Sequence, residues 1–189
     1  MSRPLTSLIG RSLLKPLARF CRDDSGVTAI EFGILAFPFF AIVGAILETS
    51  IVFLAGQFLD SAVQDASRAI RTGQLQTSNY TLQNFEDLVC SRLSGLFSDC
   101  AGLQIYVHPV DDFASATIPY PLSRTCTNTC PWLFPEEFRP GSASNTVVVQ
   151  VYYKWPLVLP AGPFSSTAQP DGTQLLGAVR VFRNEPFNS

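Results

Sequence analysis

The sequence predicts an α+β protein: a long N-terminal transmembrane helix continues outward as an amphipathic stem and packs on a small antiparallel sheet, with long disulfide-tied loops. Three observations predict it. From Phe32 to Leu47 sixteen consecutive residues carry no charge, and apolar character resumes after Glu48 at Ile51, Val52, Phe53 and Leu54. Further on, Phe58, Leu59, Ala62, Val63, Ala66, Ala69 and Ile70 recur at helical spacings until Gly73 supplies a stop. The remainder alternates in short β-rich stretches between long loops, and holds four cysteines.

The 189 residues are 47% hydrophobic and 15% charged, which excludes a disordered chain and allows one compact domain. Charge divides unevenly. Residues 1–22 hold five cations and no acid, whereas residues 27–189 carry a net charge of −5, so no whole-chain basic footprint for nucleic acid exists. The expected organisation is a basic leader over 1–26, a membrane helix and stem over 27–73, and a head over 74–189.

Crossing a hydrocarbon core takes about 20 helical residues, so the uncharged run must extend past Glu48 or begin before Phe32. Arg3, Arg11, Lys15, Arg19 and Arg22 precede the run, while Asp60, Asp65, Arg68 and Arg71 behind it balance to zero. By the positive-inside rule the N-terminus stays cytoplasmic and the C-terminal domain lies outside, in a single pass. The leader is long and no A-x-A site closes the run, so the segment reads as retained, unlike a cleaved secretory signal.

Two carboxylates interrupt the apolar character. Glu31 opens the run and Glu48 follows about 25 Å along a continuous helix. An acid at the bilayer centre costs about 2.5–3.5 kcal/mol and less towards an interface, so each reaches headgroups or pairs with another subunit. Ala41, Gly44, Ala45, Glu48, Val52 and Ala55 share one arc of small residues that would admit close helix contact. Pro38 lacks an N–H and crowds the Ile34 carbonyl, which weakens one turn.

In the head, Leu82, Phe85, Val89, Leu93 and Leu96 predict a helix over 82–96 capped by Thr81. Strands are expected at 103–107, 146–155 and 175–182, in a three- or four-stranded antiparallel sheet. Pro109, Pro119, Pro121, Pro131, Pro135 and Pro140 make a long irregular excursion, and residues 156–172 a second. Cys21 sits in the leader; Cys90, Cys100, Cys126 and Cys130 could pair in three ways on an oxidising side, with Cys90–Cys100 and Cys126–Cys130 expected. Their spacings lack the paired short knuckles of a zinc site.

Nothing points to catalysis, a metal or another cofactor, or a small-molecule substrate. His108 is the single histidine, and the acidic pairs Asp111/Asp112 and Glu136/Glu137 sit in loops where solvated acids are ordinary. No phosphate-binding loop, dinucleotide fingerprint or nucleophile elbow occurs. The run Pro131-Trp132-Leu133-Phe134-Pro135 is either an aromatic contact for another subunit or a loop folded back over the core.

The string from Asp24 to Phe32, DSGVTAIEF, places a glycine before the span and a glutamate five residues after it, behind a basic leader. It resembles a prepilin peptidase site. With GVTAIEFGILAFPFF, then Glu48, QFLDSAVQDASRAIRTG and the ending VRVFRNEPF, the chain resembles the TadE-like family of minor pilins or pseudopilins in bacterial tight-adherence (Tad/Flp) pilus systems. The likeness covers residues 22–73, 85–109 and 146–187. It implies a pilin-like fold, a place in the bacterial inner membrane, and other Tad pilins and assembly proteins as partners. It also implies cleavage between Gly26 and Val27 by a prepilin peptidase, after which Glu31 would neutralise the Val27 amine of a neighbouring subunit. An unprocessed single-pass scaffold is the alternative.

Overall fold

The computed structural model describes residues 26–77, 80–93, 95, 97, 100, 102–158 and 169–187; residues 1–25 of the basic leader, with Cys21, and Leu96 lie outside them. The chain forms two compact units, one through Gly44 and one from Ala45 onward. Helix α1, Val27–Arg71, is uninterrupted at Pro38 and belongs to the first unit only in its N-terminal part.

Gly73 ends the stem as its sequence position requires. Its φ of 78° is the left-handed conformation that favours glycine, and its N–H donates to the Ile70 carbonyl at 3.0 Å. A short helix that the apolar spacing did not predict, α2 (Gln74–Thr77), follows. Helix α3, Leu82–Arg92, starts at a reciprocal cap: the Asn84 N–H donates to Thr81 Oγ1 at 3.4 Å and the Thr81 N–H to Asn84 Oδ1 at 3.0 Å. It is shorter than its periodicity implied. Leu93 already caps it, and Gly95 turns left-handed at φ 71°.

Four strands follow: β1 (Leu103–Val110), β2 (Glu137–Phe138), β3 (Thr146–Pro156) and β4 (Thr173–Arg183). Their order is β2-β1-β3-β4. The three long strands are antiparallel, with Leu103 opposite Tyr153 and Thr146 opposite Arg183. The expected antiparallel sheet is nevertheless mixed, because β2 adds beside β1 in parallel, Tyr106 opposite Glu137. Residues 111–136 supply the long crossover a parallel pair needs. Pro109 falls inside β1, where its expected exclusion from strands does not hold. The Val107 carbonyl accepts the last β2 bond, from the Arg139 N–H at 2.8 Å. Pro109, two residues further, turns its missing N–H to that same side, beyond the end of β2.

The inner sheet face presents Leu103, Ile105, Val107, Val147, Val149, Val151, Leu176 and Ala178 to the stem residues Ala55, Leu59, Ala62, Val63, Ala66 and Ile70, and to Phe85 and Val89 of α3. Burying each of the larger side chains is worth about 1.5–3 kcal/mol. The small stem residues let helix and sheet approach; a Cβ on Gly56 would already touch Leu176 at 4.0 Å.

The outer face has its own cover. Leu122, Cys130, Val148, Gln150 and Tyr152 are buried there, under the proline-rich excursion. Leu122 bridges to Trp132, and the Lys154 ammonium sits 5.2 Å from the centre of the Trp132 ring. Trp132 and Phe134 therefore turn inward and Leu133 outward, so this loop folds back over the sheet. The disulfides Cys90–Cys100 and Cys126–Cys130 are both formed, the first beside α3 and the second closing this cover.

Candidate assembly helix and its anchorage to the head

Gly26 and Val27 stand at the start of α1, with Val27 and Glu31 both exposed one turn apart. Phe32, Ile34, Leu35, Phe37, Phe39 and Phe40 are exposed on every side of the helix, and none of its residues before Ala55 is buried. The N-terminal part of this helix, apolar all round and exposed among the described residues, is a candidate membrane span, and α1 is long and apolar enough to cross. Two hydroxyls midway along it are satisfied internally: Thr49 Oγ1 donates to the Ala45 carbonyl at 2.8 Å and Ser50 Oγ to the Ile46 carbonyl at 2.7 Å. That is the internal pairing a lipid solvent demands.

The small-residue arc changes character along its length. Ala41 and Gly44 lie in the first unit, whereas Val52 packs against the head's core and Ala55 is wholly buried in it. That part of the arc is covered by the chain's own core. Glu48 also has an intrachain partner, since the Val158 N–H donates to its carboxylate. Sequence reading gave no sign of Val158.

Two further ties fix the stem. Arg180 on β4 donates through Nη2 to Asp60 Oδ2 at 2.6 Å. Its signal was available: Leu176, Ala178, Arg180 and Phe182 share the inward phase of the strand, and a cation there needs an acid opposite. The second tie is the C-terminus. The Glu185 N–H donates to the Arg71 carbonyl at 2.9 Å, one of the acceptors left open at a helix end, and the two side chains pair at 3.4 Å. Buried Asn184 donates through Nδ2 to the Pro140 and Ser142 carbonyls, both at 3.0 Å, and the Phe187 ring lies directly over Gly73. The Asn-Glu-Pro-Phe ending is thus a latch on the end of the stem.

The remaining chemically suggestive groups are scattered. Burial pushes the His108 imidazole pKa down, with Glu137 opposing and Arg139 reinforcing the shift; the ring lies 4.6 Å from that of Tyr106. Asp112 is bound up in its own turn, where the Ser115 N–H donates to it at 2.7 Å and holds its carboxyl below the usual range. Asp171 pairs with Lys154 at 3.1 Å. Its partial burial opposes ionisation, but the Thr173 hydroxyl and the Lys154 charge outweigh that and keep its pKa low.

Residues 26–68 match the family described as TadE-like protein. Over that stretch the chain is similar to TadE-like proteins. This TadE-like segment takes in Gly26, Val27, Glu31, Pro38, the small-residue arc, Glu48 and the stem as far as Arg68. The latch lies outside the match, and its role comes from the geometry alone. No curated protein and no solved structure matches the chain.

Proposed function

We propose that the chain is a non-enzymatic minor pilin or pseudopilin that takes part in assembling a Tad-type adhesive pilus. It is anchored by α1 in the bacterial inner membrane, with its N-terminus in the cytoplasm and its head outside. The observation that carries the reading is where the TadE-like match falls: on a helix exposed and apolar through its first half and buried in a head through its second. Such a helix can enter a membrane bundle while the head makes the lateral contacts. A prepilin peptidase cuts between Gly26 and Val27, and the freed Val27 amine of one subunit meets Glu31 of the next. In an apolar bundle, breaking such a pair costs about 3–5 kcal/mol, because one charge is left uncompensated. Ala41 and Gly44 let neighbouring helices approach closely enough to close the pair.

The test is intact mass and N-terminal sequencing of the protein from host membranes, with and without the peptidase. A chain starting at Val27 only when the peptidase is present supports the proposal. A chain starting near Met1 in both strains overturns the processing step and makes the protein an unprocessed single-pass scaffold.

A further inference from the structure

The two edges of the sheet differ. On one side β2 pairs with β1. On the other β4 is the last strand, and among the described residues nothing pairs with its outer edge. The Asn184 N–H donates to the Asn145 carbonyl at 2.8 Å, so the even-numbered residues of β4 direct their N–H and C=O groups at β3. The odd-numbered ones direct theirs outward. Val179 shows this, because its carbonyl accepts from Arg180 Nη1 at 2.9 Å, away from β3. Val181 has no such cap among the described residues, and its outward N–H and C=O stand open.

A cavity of about 520 Å³ lies beside Val181, between this edge and the stem, and Ser67, Arg68, Arg71 and Arg180 are among the residues that line it. Its charges are not balanced. Arg71 pairs with Glu185 at 3.4 Å and Arg180 with Asp60 at 2.6 Å, while Asp65, the one acid in the lining, faces Arg92 at 4.0 Å. The exposed Arg68 has no acidic partner among the described residues. Ser67 is only 4% exposed, and its hydroxyl makes no hydrogen bond. A buried polar group left unpaired costs about 1–3 kcal/mol, so a ligand that brings an acceptor gains at this point. Charged side chains on an edge strand also deter unwanted pairing, as Arg180 does at Val179. Arg68 and Ser67 have no part in that, since both lie on the stem.

We infer that the edge of β4 around Val181 takes up an extended acidic segment of a partner polypeptide, which adds to the sheet as a further strand beside the stem. Its backbone bonds to the open N–H and C=O of Val181. Successive side chains of such a strand point to opposite faces. Those on the inner face, where Arg180 and Phe182 point, lie across the cavity from the stem and bring carboxylates to Arg68 and Ser67. Those on the outer face continue the surface of Val179 and Val181, which suits β-branched residues. Every residue of this site belongs to the compact unit from Ala45 onward. The inference therefore stands whether or not α1 crosses a membrane or is processed at Gly26.

The probe is a short fluorescent peptide that alternates glutamate with threonine, titrated with the full chain in detergent micelles and read by anisotropy. Hydrogen exchange over residues 179–183 is followed by mass spectrometry in the same samples. The expected result is saturable binding with slowed exchange over 179–183. Glutamine in place of the peptide's glutamates should weaken binding about tenfold, and so should Arg68→Gln, which alters an exposed side chain and leaves the fold intact. N-methylation of the peptide's amides removes its backbone donors, keeps its charge and should abolish binding. No saturable binding overturns the inference. Undiminished binding of the N-methylated peptide overturns the added strand, and undiminished binding of the glutamine peptide, or to Arg68→Gln, overturns the acidic ligand. Slow exchange over 179–183 without peptide, in a species with the mass of two chains, also overturns the inference and makes the edge a contact between copies.

Discussion

Replacing Gly73 with alanine should cost the head about 2–2.5 kcal/mol, and the structure separates that cost into two parts. The first is backbone: at φ 78° an L-residue is less stable than glycine by about 1 kcal/mol. The second is the latch, since a Cβ at Gly73 would lie 2.4 Å from Cγ of Phe187 and the ring must leave. Fully burying a phenylalanine is worth about 1.5–3 kcal/mol, and Phe187 is half-buried, so its displacement forfeits about 1–1.5 kcal/mol. Gly95 separates the two parts, because it has nearly the same φ, 71°, and nothing within 4 Å of an added Cβ. Gly95→Ala should lose only the backbone part. Thermal unfolding of the full chain in detergent, followed by near-ultraviolet circular dichroism, should show Tm falling by roughly 5–10 °C for Gly73→Ala and by about 2–4 °C for Gly95→Ala. In a Phe187→Ala background the Gly73→Ala cost should drop to about 1 kcal/mol, a coupling of about 1–1.5 kcal/mol between the two sites. Equal losses at Gly73 and Gly95, or an unchanged Gly73 cost once Phe187 is gone, would refute the latch.

Glu31→Ala should leave membrane insertion intact and abolish co-purification with pilus partners; unchanged co-purification would remove the pairing role. Opening Cys90–Cys100, which closes a loop of 10 residues, should cost about 2.7 kcal/mol by loop entropy, and opening Cys126–Cys130, with a separation of 4, about 2 kcal/mol. Urea titration of the two double serine variants gives the comparison, and a reversed order would count against the entropic account. Acid should weaken the head in two steps. The folded state disfavours protonated His108, so stability contributed by the neutral ring is present above the ordinary pKa of 6.5 and lost as pH falls below it towards the lowered value. Asp171 has a depressed pKa, so its contribution is held above the ordinary 3.8 and lost only below it. Subtracting the Tm–pH curve of His108→Phe from that of the parent isolates the first step, and a flat difference between pH 7 and 5 would dismiss it.

Local signals carried much of the architecture. An uncharged apolar run, a 3.6-residue apolar spacing up to Gly73 and three alternating stretches are each properties of a short window, so the helix, stem and long strands could be read before any contact was known. The cysteine pairs were legible for a similar reason, since close spacing makes the near pairing the easiest to close. Strand β2 is only two residues long and carries no period; it exists because β1 offers an edge and residues 111–136 are long enough to reach it in parallel. The sequence marked Glu48 as an acid needing a partner, but the partner is a backbone amide, and every residue before a turn has the same amide. It took the packing of the sheet on the stem to bring Val158 to Glu48, Asp60 to Arg180 and Phe187 to Gly73, across separations that no local pattern records. Periodicity tells a helix which face is apolar; what lies against that face is decided only when distant segments exclude water together.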